Sequence, residues 1–170
     1  MIRWLGAIMI VGAGFLAGRA LSLKLKYRVR ELEAILAMGE QMATYIRYQG
    51  LPLPELFEQL SESSQLKELP FIKDCALQMK GGVSFPVAYR TALNQSKDMM
   101  HLKGEDFKYL AGLEQELGST DLDGQLKTLW LFQKTVESCL TEAREEYRSS
   151  GMVYQRVGLF AGMALAIVIV

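Results

Sequence analysis

Few side chains in this sequence are arranged for catalysis or metal binding. His101 is the single histidine, so two histidines cannot share a metal, and a serine–histidine dyad would depend on this one residue. It stands in a Met-Met-His-Leu stretch, which is typical of a structural residue between helices. Cys75 and Cys139 lack metal-ligand spacing and fall at apolar positions of helical patterns, which predicts buried free thiols. No phosphate loop of the form GxxxxGK[ST] occurs. We therefore expect neither an enzyme nor a bound cofactor or metal.

Acidic residues cluster in the second half of the chain and are candidates for a partner-binding patch. The cluster consists of Glu105, Asp106, Glu114, Glu116, Asp121 and Asp123. Such a cluster is most often a solvated helix face, and Asp121 is also suited to cap a helix that follows it. The other interpretation is a docking patch for a basic protein surface. Both interpretations stay open at this point.

The elements that carry these acids are predicted to be helices. Apolar residues recur every three or four positions along two long segments, one ending before Gly50 and the other running from Leu122 to Tyr147. The first series is Leu25, Val29, Leu32, Leu36, Gly39, Ala43 and Ile46. Shorter helices are expected over residues 54–65, 68–80, 84–96 and 103–117. No alternating strand pattern is present, so we predict an all-α antiparallel bundle of about six helices.

Glycine and proline mark the expected helix ends. Gly50-Leu-Pro-Leu-Pro54 and Gly82-Val-Ser-Phe-Pro86 share one frame, in which a glycine ends one helix and a proline opens the next. Ser84 is the expected N-cap of the helix that contains Pro86. The shared pattern indicates either two related helical units or the common use of glycine to end a helix and proline to begin the next. The second explanation is the simpler one.

Both ends of the chain are apolar. Trp4–Gly18 contains no charged side chain, and Val157–Val170 contains no charged or polar side chain. Because a helix rises 1.5 Å per residue, each run needs its flank, including an interfacial arginine, to approach the ~30 Å hydrocarbon core. We predict transmembrane helices over residues 1–23 and 152–170, around a helical domain at 24–151.

Charge predicts the orientation of these segments. Five basic residues follow the first run, namely Arg19, Lys24, Lys26, Arg28 and Arg30, whereas only Arg3 precedes it. Positive charge directly after an apolar run opposes its export, which disfavours a cleaved signal peptide and places the middle domain in the cytoplasm. Besides a membrane helix and a cleaved signal peptide, the first apolar run could also be an ordinary helix buried in the protein. The 170-residue chain carries 19 basic and 19 acidic residues, which gives no sign of nucleic-acid binding.

Glycine spacing in the two apolar runs predicts close packing of membrane helices. Gly14 and Gly18 are four positions apart, as are Gly158 and Gly162. Small residues at this spacing let two helices approach closely in a bilayer. The pairing could occur within one chain or between chains, so a homo-oligomer stays open.

Short motifs in a fixed order carry a family resemblance. They are Leu5-Gly6-Ala7 with Gly14 and Gly18, Ile46-x-Tyr48 with Pro52-Leu53-Pro54-Glu55, and Leu117-Gly118-x-x-Asp121 with Gln125. Together they resemble the stage III sporulation protein AB family over essentially the whole chain. Tyr45 and Glu114-Gln115 depart from that family's pattern, in which an acid and Gly-Glu are expected.

The resemblance implies a role as well as a fold. The family is similar to the cytoplasmic helical domain of the platform protein of type II secretion and type IV pilus machines. It implies a membrane-anchored adaptor on the mother-cell side of the channel to the forespore. Its expected partners are a secretion-type ATPase, other channel proteins and membrane lipid. Gly118, Asp121 and Gln125 would form a helix corner that presents the acids at one tip.

One other class of protein also fits two apolar ends around a helical middle. In a two-span sensor or receptor module, the helical bundle lies outside the cell. The basic residues after the first run argue against that orientation.

Overall fold

The fold is all-helical, as the apolar periodicity predicts. A computed structural model describes the backbone of residues 2–117 and 121–169. It describes the side-chain surroundings of residues 16, 18–115, 117 and 121–149. Every regular element in that part of the chain is a helix or a helical turn. The α-helices are α1 (Ile2–Thr44), α2 (Leu53–Glu62), α3 (Pro70–Lys80), α4 (Phe85–Ser96), α5 (Gly104–Glu116) and α6 (Leu122–Ile169).

The helix ends follow the glycine and proline signals. Gly50 and Gly82 have φ angles of 58° and 88°, a left-handed conformation that glycine adopts without strain. Pro54 and Pro86 lie in the first turns of α2 and α4. Ser84 precedes α4 as expected, but its side chain makes no capping hydrogen bond. The predicted starts and ends of α3, α4 and α5 are within two residues of those observed.

The chain divides into two compact units. One comprises Met1–Val29 and Glu142–Val170, and the other comprises Arg30–Thr141. The first therefore joins the beginning of α1 to the end of α6. Over the residues described, no helix is both long and apolar enough to cross a lipid bilayer. The environments of Gly14, Gly158 and Gly162 lie outside the described residues.

A buried arginine links the two helices of the terminal unit. The side chain of Arg28, on α1, is almost fully buried, and its Nη1 lies 3.0 Å from Glu146 Oε2 and 3.7 Å from Glu142 Oε1, both on α6. Gly18 and Ser22 are also buried on α1. The charge of Arg28 is therefore balanced within this unit, and the arginine holds α1 and α6 together.

Aromatic rings form the centre of the larger unit. Phe57 of α2, Phe71 of α3, and Phe85 and Tyr89 of α4 are buried, with ring centroids of contacting pairs 5.4–6.0 Å apart. The Tyr89 hydroxyl donates a 2.9 Å hydrogen bond to the Leu110 carbonyl of α5. Burial raises the pKa of Tyr89 far above its ordinary range, so the phenol stays protonated. This cluster joins four helices.

The buried face of α1 is wider than its predicted seam. Within the larger unit, the structure buries the predicted Leu32 and Ile46 but leaves Leu36 and Ala43 half-buried. It also buries positions outside the seam, namely Ala34, Ile35, Met38 and Met42. The reason is that α1 is covered on more than one side. A Cβ at Gly39 would lie 3.2 Å from Gln133 Cγ and 3.3 Å from Phe132 Cδ1, so α6 approaches closely there.

His101 has the structural role expected of it. It lies in the connection between α4 and α5, where its backbone N–H donates to Glu31 Oε2 at 2.7 Å. Its ring Nδ1 lies 2.9 Å from Glu31 Oε1. Burial raises the pKa of Glu31, although the contacts with His101 oppose that shift. This carboxylate ties the connection to α1.

Neither Cys75 nor Cys139 forms a disulfide. Cys75 is fully buried, as predicted, and burial raises the pKa of its thiol to about 12. Such a thiol stays protonated and is a poor nucleophile. Cys139 is only half-buried, so the prediction of burial was too strong for it.

Candidate docking surfaces

The acids of the first turn of α5 differ in exposure. Glu105 is exposed, whereas Asp106 is buried and its Oδ2 accepts a 2.8 Å hydrogen bond from the Lys103 backbone N–H. Asp106 thus satisfies a donor at the start of its own helix. Of this pair, Glu105 presents its carboxylate to solvent.

Glu114, near the other end of α5, is engaged by α4. Its buried carboxylate accepts hydrogen bonds from two of the three nitrogens of the Arg90 guanidinium: Nε donates to Oε2 at 2.9 Å, and Nη2 donates to Oε1. The hydrogen bonds from Arg90 hold the pKa of Glu114 below its ordinary value, although burial acts in the opposite direction. A bidentate pair of this kind fixes α4 against α5.

The Arg90–Glu114 pair predicts a specific acid sensitivity. Because the folded pKa of Glu114 is lowered, its stabilising contribution is complete above the unfolded pKa, roughly 4.3, and is lost as the pH falls through the folded pKa. Glu114→Gln should therefore lose less stability than the wild type as the pH falls below about 4.3, the unfolded pKa. Thermal melting, followed by circular dichroism at several pH values, measures the slope of the melting temperature against pH. Glu62→Gln, at an exposed position of α2, should keep the wild-type slope; equal slopes for all three proteins would contradict the assignment.

Asp121 and Asp123 are exposed at the start of α6. Asp121 Oδ1 accepts a 3.0 Å hydrogen bond from the Gly124 backbone N–H, so the predicted cap is present. The Gln125 backbone N–H donates to the Asp121 carbonyl at 3.0 Å, and Gln125 is half-buried one turn into the helix. Gly118, the third member of the predicted corner, lies outside the described residues.

The six acids are not gathered at one tip. Glu105 and Asp106 lie in the first turn of α5, whereas Glu116 is its last residue. Glu105 and Glu116 are eleven positions apart along the helix, which corresponds to roughly 17 Å. The side chain of Glu116 lies outside the described residues. Of the six acids, Asp121 and Asp123, which follow the end of α5, are therefore the two exposed ones that lie close together and could bind a partner jointly.

A groove between α1 and α6, within the larger unit, was missed by the sequence interpretation. We call it the aromatic groove; it has a volume of about 350 Å³ and is lined by Glu40, Ala43, Thr44, Arg47, Tyr48, Leu126, Trp130 and Gln133. Tyr48 and Trp130 are 77% and 56% exposed, which is unusual for large aromatic side chains. Tryptophan, tyrosine and arginine are the residues most enriched at energetic hot spots of protein interfaces. The groove thus has the composition of a protein-binding site.

Local helix geometry places the groove residues together. After Thr44 the helix widens into a π-helical turn, Tyr45–Gln49, which carries Arg47 and Tyr48. On α6, Asp123, Leu126 and Trp130 are spaced by three and four residues and share one face. The acidic start of α6 therefore continues along the same face as the groove.

Comparison with known proteins identifies the family. The profile of the family described as "Stage III sporulation protein AB" matches residues 3–170. This chain belongs to that family. The resemblance inferred from short motifs is therefore confirmed, and the protein is a sporulation protein.

A solved structure of a family member has the same fold. It is titled "Stage III sporulation protein AB (SpoIIIAB)" and aligns with a TM-score of 0.64 at 21% identity, over 71% of this chain and 96% of that chain. At this level of identity the likeness shows the fold. No curated protein matches the chain.

Proposed function

We propose that this protein is a non-enzymatic platform of the sporulation channel between mother cell and forespore. Residues 1–23 and 152–170 would anchor it in the mother-cell membrane, with the helical domain in the cytoplasm. Its work would be to hold a secretion-type ATPase and ring components of the channel against that membrane. Family membership supports the sporulation role, and the five basic residues after the first apolar run support the orientation.

The aromatic groove is the observation that carries the docking part of the proposal. Exposed Tyr48 and Trp130 offer a large apolar area beside a cation, Arg47. Asp121 and Asp123 add negative charge at the start of the helix that carries Trp130. A partner that buries the two aromatic rings would be oriented by these rim charges. The proposed docking surface thus consists of the aromatic groove and these two acids.

A reporter inserted between Gly81 and Gly82 tests the orientation. This turn is exposed, so an insertion there should leave the helices intact. Activity of a reporter that works only in the cytoplasm supports the platform. Activity of a reporter that works only after export would overturn it and favour the two-span sensor.

Removing the rim charges tests the docking. Asp121→Asn/Asp123→Asn should weaken co-purification of the ATPase about fivefold, since two exposed charges contribute roughly 1 kcal/mol. Asparagine still caps a helix, so the start of α6 should persist. Glu55→Gln/Glu62→Gln removes two exposed charges on α2 and serves as the matched control. Equal recovery with both double variants would remove the acids from the docking surface, and no recovery with the wild type would end the ATPase proposal.

A further inference from the structure

The middle of α1 carries a group of exposed cations. Arg19, Lys24 and Lys26 are exposed in the terminal unit; we call them the basic cluster. They form no ion pair among the residues described, and no acidic residue occurs between positions 19 and 30. Three unneutralised positive charges on two turns of helix repel one another unless an anion lies nearby.

Arg28 provides an internal comparison. It follows Lys26 by two positions, but Glu142 and Glu146 of α6 neutralise it at 3.7 and 3.0 Å. At 100° per residue it lies about 180° from Arg19 around the helix. The side of α1 that faces α6 thus has its own counter-charges. Arg19 and Lys26 lie on the opposite side of the helix, whereas the exposed Lys24 lies about 40° from Arg28.

The distribution around the helix favours a lipid surface over a protein partner. Arg19, Lys24 and Lys26 spread over about 160° of the circumference. Leu21 and Leu23 are also exposed in this segment, and they lie about 160° apart. A partner helix covers a stripe of about 100° and would leave part of this surface bare. Lipids surround a helix, and cations mixed with leucines suit the boundary between headgroups and acyl chains.

The axial extent agrees with one headgroup layer. Arg19 directly follows the uncharged run Trp4–Gly18. The eight residues from Arg19 to Lys26 rise about 10 Å, which is of the same order as the roughly 5–8 Å that the headgroups occupy on each side of a bilayer.

We propose that the basic cluster binds the phosphate groups of anionic phospholipids and thereby fixes the depth of α1 in the membrane. This inference rests on the proposed membrane anchoring. Each cation near an anionic surface should favour binding about fivefold. The platform would consequently depend on the anionic lipid content of its membrane.

Lipid retention by the full chain tests the proposal. The protein is purified in mixed micelles that contain equal amounts of phosphatidylglycerol and phosphatidylcholine, and the lipids it retains are counted by native mass spectrometry. The wild type should retain the anionic lipid preferentially, and Arg19→Gln/Lys24→Gln/Lys26→Gln should reduce that preference at least tenfold (about fivefold for each charge, allowing for incomplete additivity). Lys73→Gln/Lys108→Gln/Lys127→Gln removes three exposed charges of the larger unit and should retain the wild-type preference. High salt should reduce the wild-type preference as well.

The outcomes separate this inference from the platform proposal. A wild type without anionic preference, or equal preference in both triple variants, would overturn the lipid inference alone. Loss of a protein partner by the basic-cluster variant, with lipid retention unchanged, would also overturn it. Flotation with pure phosphatidylcholine vesicles tests the anchoring separately: a wild type that fails to float with these vesicles would end the anchoring proposal itself.

Discussion

Phe57→Ala should lower the free energy of unfolding by about 3–5 kcal/mol, the usual cost of truncating a fully buried phenylalanine. Phe57 is fully buried on α2, and its ring contacts those of Phe85 and Tyr89 at centroid distances of 5.4 and 6.0 Å. Alanine would remove both contacts and leave a cavity. Because Tyr89 also holds α5 through the Leu110 carbonyl, loosening its ring should weaken more than the α2–α4 contact. Urea unfolding of the full chain measures the change.

Tyr48→Ala is the matched control for that experiment. It also truncates an aromatic ring to a methyl group, but Tyr48 is 77% exposed. The free energy of unfolding should change by no more than about 0.5 kcal/mol. If Tyr48→Ala and Phe57→Ala destabilise the protein equally, the aromatic cluster is not its core.

Helix positions were predictable because their signals are local. A glycine that must adopt a positive φ ends one helix, and a proline opens the next, as at Gly82 and Pro86. The apolar periodicity of each short helix then predicts which side is buried. These signals depend only on residues within a few positions of one another.

The buried face of α1 was less predictable because tertiary contacts set it. A three-four seam describes a helix with one neighbour, but α1 is approached by α6 at Gly39 and by the α4–α5 connection at Glu31. Met38 and Met42 are consequently buried outside the predicted seam. The width of a buried face depends on how many elements surround the helix.

The acid cluster shows the same limit for a candidate site. Glu114 belongs to it by sequence, but Arg90, 24 positions earlier, binds its carboxylate. Asp106 is occupied at the start of its own helix. The seam did not indicate a role for Trp130, because this residue follows the buried Leu129 by one position and lies on the exposed side of the helix. A large aromatic residue just outside a predicted seam is the signal that could have revealed the groove.

Trp130→Ala should reduce co-purification of the secretion-type ATPase about 30-fold, the effect of losing a hot-spot residue worth roughly 2 kcal/mol. Trp130 is 56% exposed, so the free energy of unfolding should remain within about 0.5 kcal/mol of the wild-type value. Trp130→Phe keeps an aromatic ring and should recover part of the binding. Leu77→Ala truncates an equally exposed apolar side chain on α3 and should leave binding unchanged.

Salt separates the contribution of Trp130 from that of the acids at the start of α6. Burial of an aromatic ring is not screened by ions, so the Trp130→Ala defect should persist at 0.5 M salt (a Debye length of about 4 Å). The defect of Asp121→Asn/Asp123→Asn should largely disappear under the same conditions, because exposed charges are screened. If both defects fade together, the partner is held by charge alone and the aromatic groove is not its binding site. If only the Trp130 defect persists, the groove provides affinity and the acids provide orientation.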